Sequence, residues 1–265
     1  VSAAGPTTRR WALKLEYDGV RYVGWQRQAT GLSIQEVVET SAAKLAGGMP
    51  VVCHVAGRTD AGVHAEGQVA SVDLPEPGRG VWSPERLRDA LNFHLKPHPI
   101  VAVTASPVPS AWHPRFDAIM RAYRYQILNR RARPAFRIGQ VWHVERLLDV
   151  DAMRNASRCL LGRHDFTTFR ATSCQAKGPV RTLDQLDLSR DGEVITIKVE
   201  ARSFLHHQVR NIVGTLALVG SGRWPIEQVA VALAARDRRS GGPTAPPDGL
   251  SLIKVGYPID PFSAV

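Results

Sequence analysis

No apolar run in this 265-residue chain approaches the roughly 20 residues a membrane-spanning helix needs. Cysteine is scarce as well. Cys53, Cys159 and Cys174 lie far apart and lack any C-x-x-C spacing. That excludes a disulfide framework and a zinc site, and it suits a reducing, cytoplasmic compartment. Val1 to Arg10 has no apolar stretch of the kind a secretory leader carries, so it reads as a short flexible tail. Lysine is rare: only six of the 34 basic residues, the other 28 being arginine. There is no G-x-S-x-G elbow, Walker A loop, H-E-x-x-H or helix-opening G-x-G-x-x-G. Nucleotide hydrolysis, hydride transfer and zinc chemistry therefore have no sequence support. Nine histidines scatter without ligand spacing, and the adjacent His206 and His207 do not share a helix face, so no metal site is expected.

What is present is a core-forming composition, 44% hydrophobic, with a net charge of +10. Such a length suits one large domain or two small ones. The charge suits a polyanionic partner, nucleic acid ahead of a membrane surface. Base bias in the coding DNA could favour arginine over lysine, but does not explain the excess over 24 acidic residues.

The pattern along the chain predicts a strand over 11–17, ended by the turn pair Asp18-Gly19. Ser33 and Glu36 form a capping box for a helix that Gly47-Gly48 stops. Short strands are expected at 51–56 and 68–74, a helix from Ser83-Pro84 to about Phe93, and a strand at 100–103. Ser106–Pro114 is the candidate linker. Beyond it come a strand at 119–128, a helix at 150–161 and a hairpin turning at Arg190-Asp191-Gly192. Helices at 206–219 and 225–235 and a strand at 250–255 complete the chain. The expected fold class is α+β: two related domains with mixed, largely antiparallel sheets flanked by helices. The expected division is residues 1–110 and 111–265.

Three segments can carry chemistry. Gly57–Gln68 (GRTDAGVHAEGQ) sets a carboxylate, Asp60, between glycines, with Arg58 two residues before it. It reads either as a plain turn or as a loop whose backbone can approach a ligand. The strand Arg121-Ala122-Tyr123-Arg124-Tyr125 interleaves aromatic rings with guanidinium groups. It is either a half-buried strand with snorkelling arginines or a platform for unpaired bases. Arg210 stands in an apolar helical stretch and asks for an acidic partner or a phosphate.

Together these segments resemble the TruA family of tRNA pseudouridine synthases, from about Trp11 to Tyr257 and in family order. The matching pieces are EYDG at 16–19, GWQRQ at 24–28, GRTDAGVH at 57–64, HPRF at 113–116 and YRY at 123–125. They continue with DFTTFR at 165–170, VRNIVG at 209–214, PTAP at 243–246 and Gly249-Leu250. The resemblance implies the pseudouridine synthase fold and a homodimer that binds tRNA across both subunits. It implies isomerisation of uridine at tRNA positions 38, 39 and 40 in the anticodon stem-loop, by base flipping. Asp60 would be the catalytic carboxylate and Tyr123 would pack on the target base. Arg210 would pair with Asp60, Leu250 would line the pocket, and Arg58 would displace or hold the nucleotide. Ala122 and Ser251 depart from the family, where arginine and tyrosine are common.

The chemistry is self-consistent. Breaking an N–C glycosidic bond, turning the base and forming a C–C bond is redox neutral and loses no net atoms, so no cofactor is needed. A carboxylate can attack the sugar, assist proton removal from it, or add to the base. Two other classes remain: an RNA binder of the same fold without catalysis, and a DNA-binding regulator. The latter lacks a helix-turn-helix signature.

Overall fold

The computed structural model describes residues 8–263. These form two compact units. One runs up to Ile119 and takes in the chain again from Leu252; the other is Met120–Ser251.

In the first unit the central strand is β1 (Thr8–Tyr17). It pairs antiparallel with β3 (His64–Pro75) on one side and β4 (Ile100–Pro107) on the other. The short β2 (Cys53–Val55) extends β3, also antiparallel. Trp11, Leu13 and Leu15 are wholly buried in β1. Each such side chain contributes about 1.5–3 kcal/mol of transfer free energy. Residues 1–7 of the expected tail lie outside the described residues, and Thr8–Arg10 are already strand.

Two helices cover this sheet. α1 (Ile34–Leu45) starts where Ser33 Oγ accepts the Glu36 amide at 3.2 Å. The capping box is only half closed: the Glu36 carboxylate lies 3.9 Å from the Arg27 guanidinium. Burying Ile34, Val37, Val38 and Ala42 supplies the packing that orients α1. α2 (Pro84–Leu95) opens on the Ser83 cap and buries Leu87, Leu91 and Leu95.

The second unit is built on β5 (Met120–Asn129), β8 (Val180–Asp191) and β9 (Val194–Ala201). β9 pairs antiparallel with both β5 and β8. Gly192, with φ 53°, turns the β8–β9 hairpin where the sequence predicts it. β6 (Trp142–Val144) runs parallel to β5, and β7 (Gly162–Asp165) runs antiparallel to β8. Neither short strand was expected from sequence. α3 (Val150–Ser157) passes into a 3₁₀ turn and stops at Gly162, whose φ is 89°. α4 (Gln208–Gly220) is buried along most of its length, and α5 (Gln228–Ala235) follows it. β10 (Leu250–Gly256) closes the chain. The architecture is α+β, with a large mixed, mainly antiparallel sheet flanked by helices.

Candidate active site

The loop between β2 and β3 holds Arg58 and Asp60. Arg58 is exposed and Asp60 is half-buried. Main-chain bonds define the loop. Trp25 N–H donates to Thr59 O at 3.0 Å, Gly62 N–H to Tyr22 O at 3.3 Å, and Val63 N–H to Asp60 O at 3.1 Å. The GWQ segment therefore acts as a backing strap for the carboxylate loop. Gly24 can serve there because its φ is 107° and an added Cβ would stand 2.8 Å from Thr59 O. Gly19 meets a stricter limit: an added Cβ would lie 2.0 Å from Val63 O.

Beneath the loop is a buried polar chain. Tyr17 and Thr59 share a hydroxyl–hydroxyl hydrogen bond of 2.8 Å. Gln68 Nε2 donates to Tyr17 Oη at 3.2 Å and to Gly57 O at 2.8 Å. These bonds hold Gly57 and Thr59, the residues that lead into Asp60. Tyr17, Thr59 and Gln68 are almost fully buried, at 3%, 6% and 0% exposure. Losing one partner would leave a buried polar group unpaired, at a cost of about 1–3 kcal/mol. Gly19 N–H donates to His64 Nδ1 at 3.2 Å, and Asp18 Oδ1 stands 3.3 Å from the same nitrogen. The EYDG segment is thus a second support for the loop. The sequence marks these segments as motif pieces but does not reveal that they support the Asp60 loop.

In the second unit, Tyr123 is only 8% exposed, and its ring meets Phe204 edge-on at a centroid distance of 5.1 Å. Tyr125 is fully buried on the same strand face and donates its hydroxyl hydrogen to Pro246 O at 2.8 Å. Arg121 Nη1 donates to Arg202 O at 2.7 Å. Arg210, half-buried on the first turn of α4, donates Nε–H to Ala245 O at 2.7 Å, while Ala245 N–H returns a bond to Arg210 O at 3.1 Å. This reciprocal pair ties α4 to the PTAP segment. Leu250 is buried at the start of β10, just after Gly249, where an added Cβ would lie 2.7 Å from the Tyr125 ring. So Arg210, Tyr125 and the approach to Leu250 share one neighbourhood of the second unit.

A family model described as tRNA pseudouridine synthase matches residues 14–117 and 156–258. The chain belongs to the tRNA pseudouridine synthase family. Its matched ranges include Arg58, Asp60, Arg210 and Leu250, while Tyr123 falls between them. A relative from Acidiphilium cryptum named tRNA pseudouridine synthase A is 64% identical over 96% of this chain and 98% of its own. Relatives of the same name from Gluconobacter oxydans and Paramagnetospirillum magneticum are 52% and 54% identical, over 98% and 94% of this chain and 94% and 95% of their own. As a member of that family this synthase is an isomerase that converts uridine to pseudouridine in tRNA.

One expected result concerns the polar chain under the synthase loop. Burial lifts the Tyr17 phenol from its ordinary value near 10 to about 12. Unfolded chains lose that proton above pH ~10 and the folded one does not, so stability falls between about 10 and 12. The contribution is fully present below pH ~10. It declines by about 1.4 kcal/mol per pH unit, some 2–3 kcal/mol in all. Tyr17→Phe should flatten this alkaline decline. Urea unfolding at pH 9 and pH 11 measures it; identical losses in both proteins would refute the assignment.

Proposed function

We propose that the synthase isomerises uridines 38, 39 and 40 in the anticodon stem-loop of tRNA, with Asp60 as the catalytic carboxylate. The observation that carries this reading is the Asp60 loop itself. Two motif segments strap it from outside and a buried hydroxyl–amide chain holds it from below. A plain turn has no use for that investment of buried polar groups.

The target uridine is extruded from its stack, which is why the reading assigns it an aromatic partner. Tyr123 packs on that base and Leu250 lines its apolar side. Arg58 holds or displaces the nucleotide, and Arg210 supports the carboxylate chemistry. Asp60 in its ionised form acts as nucleophile toward sugar or base, or as base toward the sugar. The C1′–N1 bond breaks, the base turns, and C5 bonds to C1′. C5 then gives up its hydrogen and N1 gains one, so atoms balance with no cofactor.

That balance supplies the test. With tRNA carrying tritium at uridine C5, the purified protein should release label into water as pseudouridine forms. Retained label under conditions where tRNA binds would contradict the reading. Cytoplasmic location and a homodimer in which each tRNA touches both copies belong to the same proposal, and light scattering at working concentration reads the dimer.

Two further results are expected. Tyr123→Ala should lower turnover at least tenfold while weakening tRNA binding only a few-fold, because one ring contacts one base whereas many arginines hold the backbone. Equal losses in a folded variant would mark the tyrosine as structural. Affinity should also fall steeply with salt, given the +10 charge. A log–log slope of several units is expected, roughly −0.7 to −0.9 per phosphate contact. A flat response would contradict electrostatic binding.

A further inference from the structure

The HPRF segment is absorbed by neither the Asp60 loop nor β5. It sits in the first unit after β4 and is held firmly. Asp117 Oδ2 accepts the His113 amide at 2.8 Å, and His113 Nδ1 accepts the Arg115 amide at 3.0 Å. Asp117 N–H returns to His113 O at 3.1 Å. Tyr257 donates its hydroxyl hydrogen to Pro114 O at 2.8 Å, and its ring lies 5.3 Å from Trp112. Arg10 Nη1 donates to Trp112 O at 3.0 Å and also to Ser110 O, while its Nε and Nη2 hold Asp73.

This well-tethered loop presents rings to solvent. Phe116 is 71% exposed. Its ring lies 4.4 Å from that of His113 at an interplanar angle of 35°, and His113 in turn lies 5.1 Å from His54 at 40°. The exposed Arg115 guanidinium stands 5.9 Å from the Phe116 centroid. Burial and neighbouring cations push the His113 imidazolium toward its neutral form, which suits a stacked ring. Exposure alone does not distinguish Phe116, since Phe93 and Phe136 are as open; what sets it apart is a tethered loop that places it beside two imidazoles and a guanidinium. A flat π-face beside a guanidinium is the pairing that takes a nucleobase and its phosphate.

We propose that the tilted ring row His54–His113–Phe116 is a second RNA contact, in which an unpaired tRNA base lies on the Phe116 ring and Arg115 holds the adjoining phosphate. This rests on tRNA being the substrate. It assigns to HPRF a binding role separate from chemistry.

The test is tRNA affinity by filter binding, with label release measured in parallel. Phe116→Ala should raise Kd roughly 5- to 100-fold, with turnover at saturating tRNA unchanged. Phe116→Tyr should bind like the parent and Phe116→Leu should not, because leucine keeps the apolar volume and loses the π-face. Arg115→Gln should reduce the salt slope by about one phosphate's worth. Parent-like binding by Phe116→Ala or Phe116→Leu would overturn the stacking role. So would a loss of binding that tracks a change in oligomeric state by light scattering, which would make the ring a contact between copies. Failure of the proposed reaction reads differently: the parent protein would bind tRNA and release no label.

Discussion

Asp60→Asn is expected to give a folded protein that binds tRNA and forms no detectable pseudouridine, a loss of roughly 10³-fold or more. Geometry supports the first half of that statement. The bonds shaping the loop run through main-chain atoms of Thr59, Asp60, Gly62 and Val63 and through the Thr59 hydroxyl. Asparagine is nearly isosteric with aspartate and tolerates the same turn geometry. Stability should therefore change by about 1 kcal/mol. What the variant loses is the negative charge, and every role open to Asp60 requires it. Thermal unfolding, filter binding and label release on the same preparation separate these effects. Turnover near the parent's by a pure, folded variant would remove Asp60 from the mechanism.

Gly19→Ala should be nearly as damaging by a different route. Its Cβ would stand 2.0 Å from Val63 O and 2.5 Å from Val63 C, both backbone atoms that cannot rotate away. The chain must move instead, and overpacking of this kind costs about 1–3 kcal/mol. Tm should fall by several degrees, roughly 2–4 °C per kcal/mol. Val63 closes the turn begun at Asp60, so the displacement reaches the carboxylate, and misplacement by about 1 Å costs on the order of 100-fold in rate. Gly78→Ala is the matched control, because an added Cβ there meets nothing within 4 Å. If Gly19→Ala kept parent activity, the EYDG segment would not be positioning the loop.

Local chemistry was legible in the sequence. Ser33 and Ser83 announced α1 and α2, and Gly162 and Gly192 marked the stops and turns they make. The candidate residues were legible only jointly, since the Asp60 loop by itself also reads as an ordinary turn. The supports were not legible, for a physical reason. Tyr17 is 42 residues from Thr59 and 51 from Gln68, and a hydrogen bond between distant residues leaves no periodicity. β3 begins at His64, four residues before its expected start, because the polar, glycine-containing stretch His64–Gly67 lacks alternation. The three-residue β6 was too short to show a period, as was the polar four-residue β7. The proline-rich stretch at 106–114 read as a linker. Ser106 and Pro107 instead finish β4, and Arg10 and Tyr257 clamp the residues beyond. The return of the chain from Leu252 to the first unit likewise has no local signature. It depends on which strand β10 meets, a fact of tertiary pairing.

The central claim is tested most directly by mapping pseudouridine, nucleotide by nucleotide, in unmodified tRNA after incubation with the purified protein and with Asp60→Asn side by side. The expected result is pseudouridine at one or more of positions 38, 39 and 40 with the parent protein, and none with the variant. Pseudouridine confined to another part of the tRNA, or formed equally by both proteins, would contradict it.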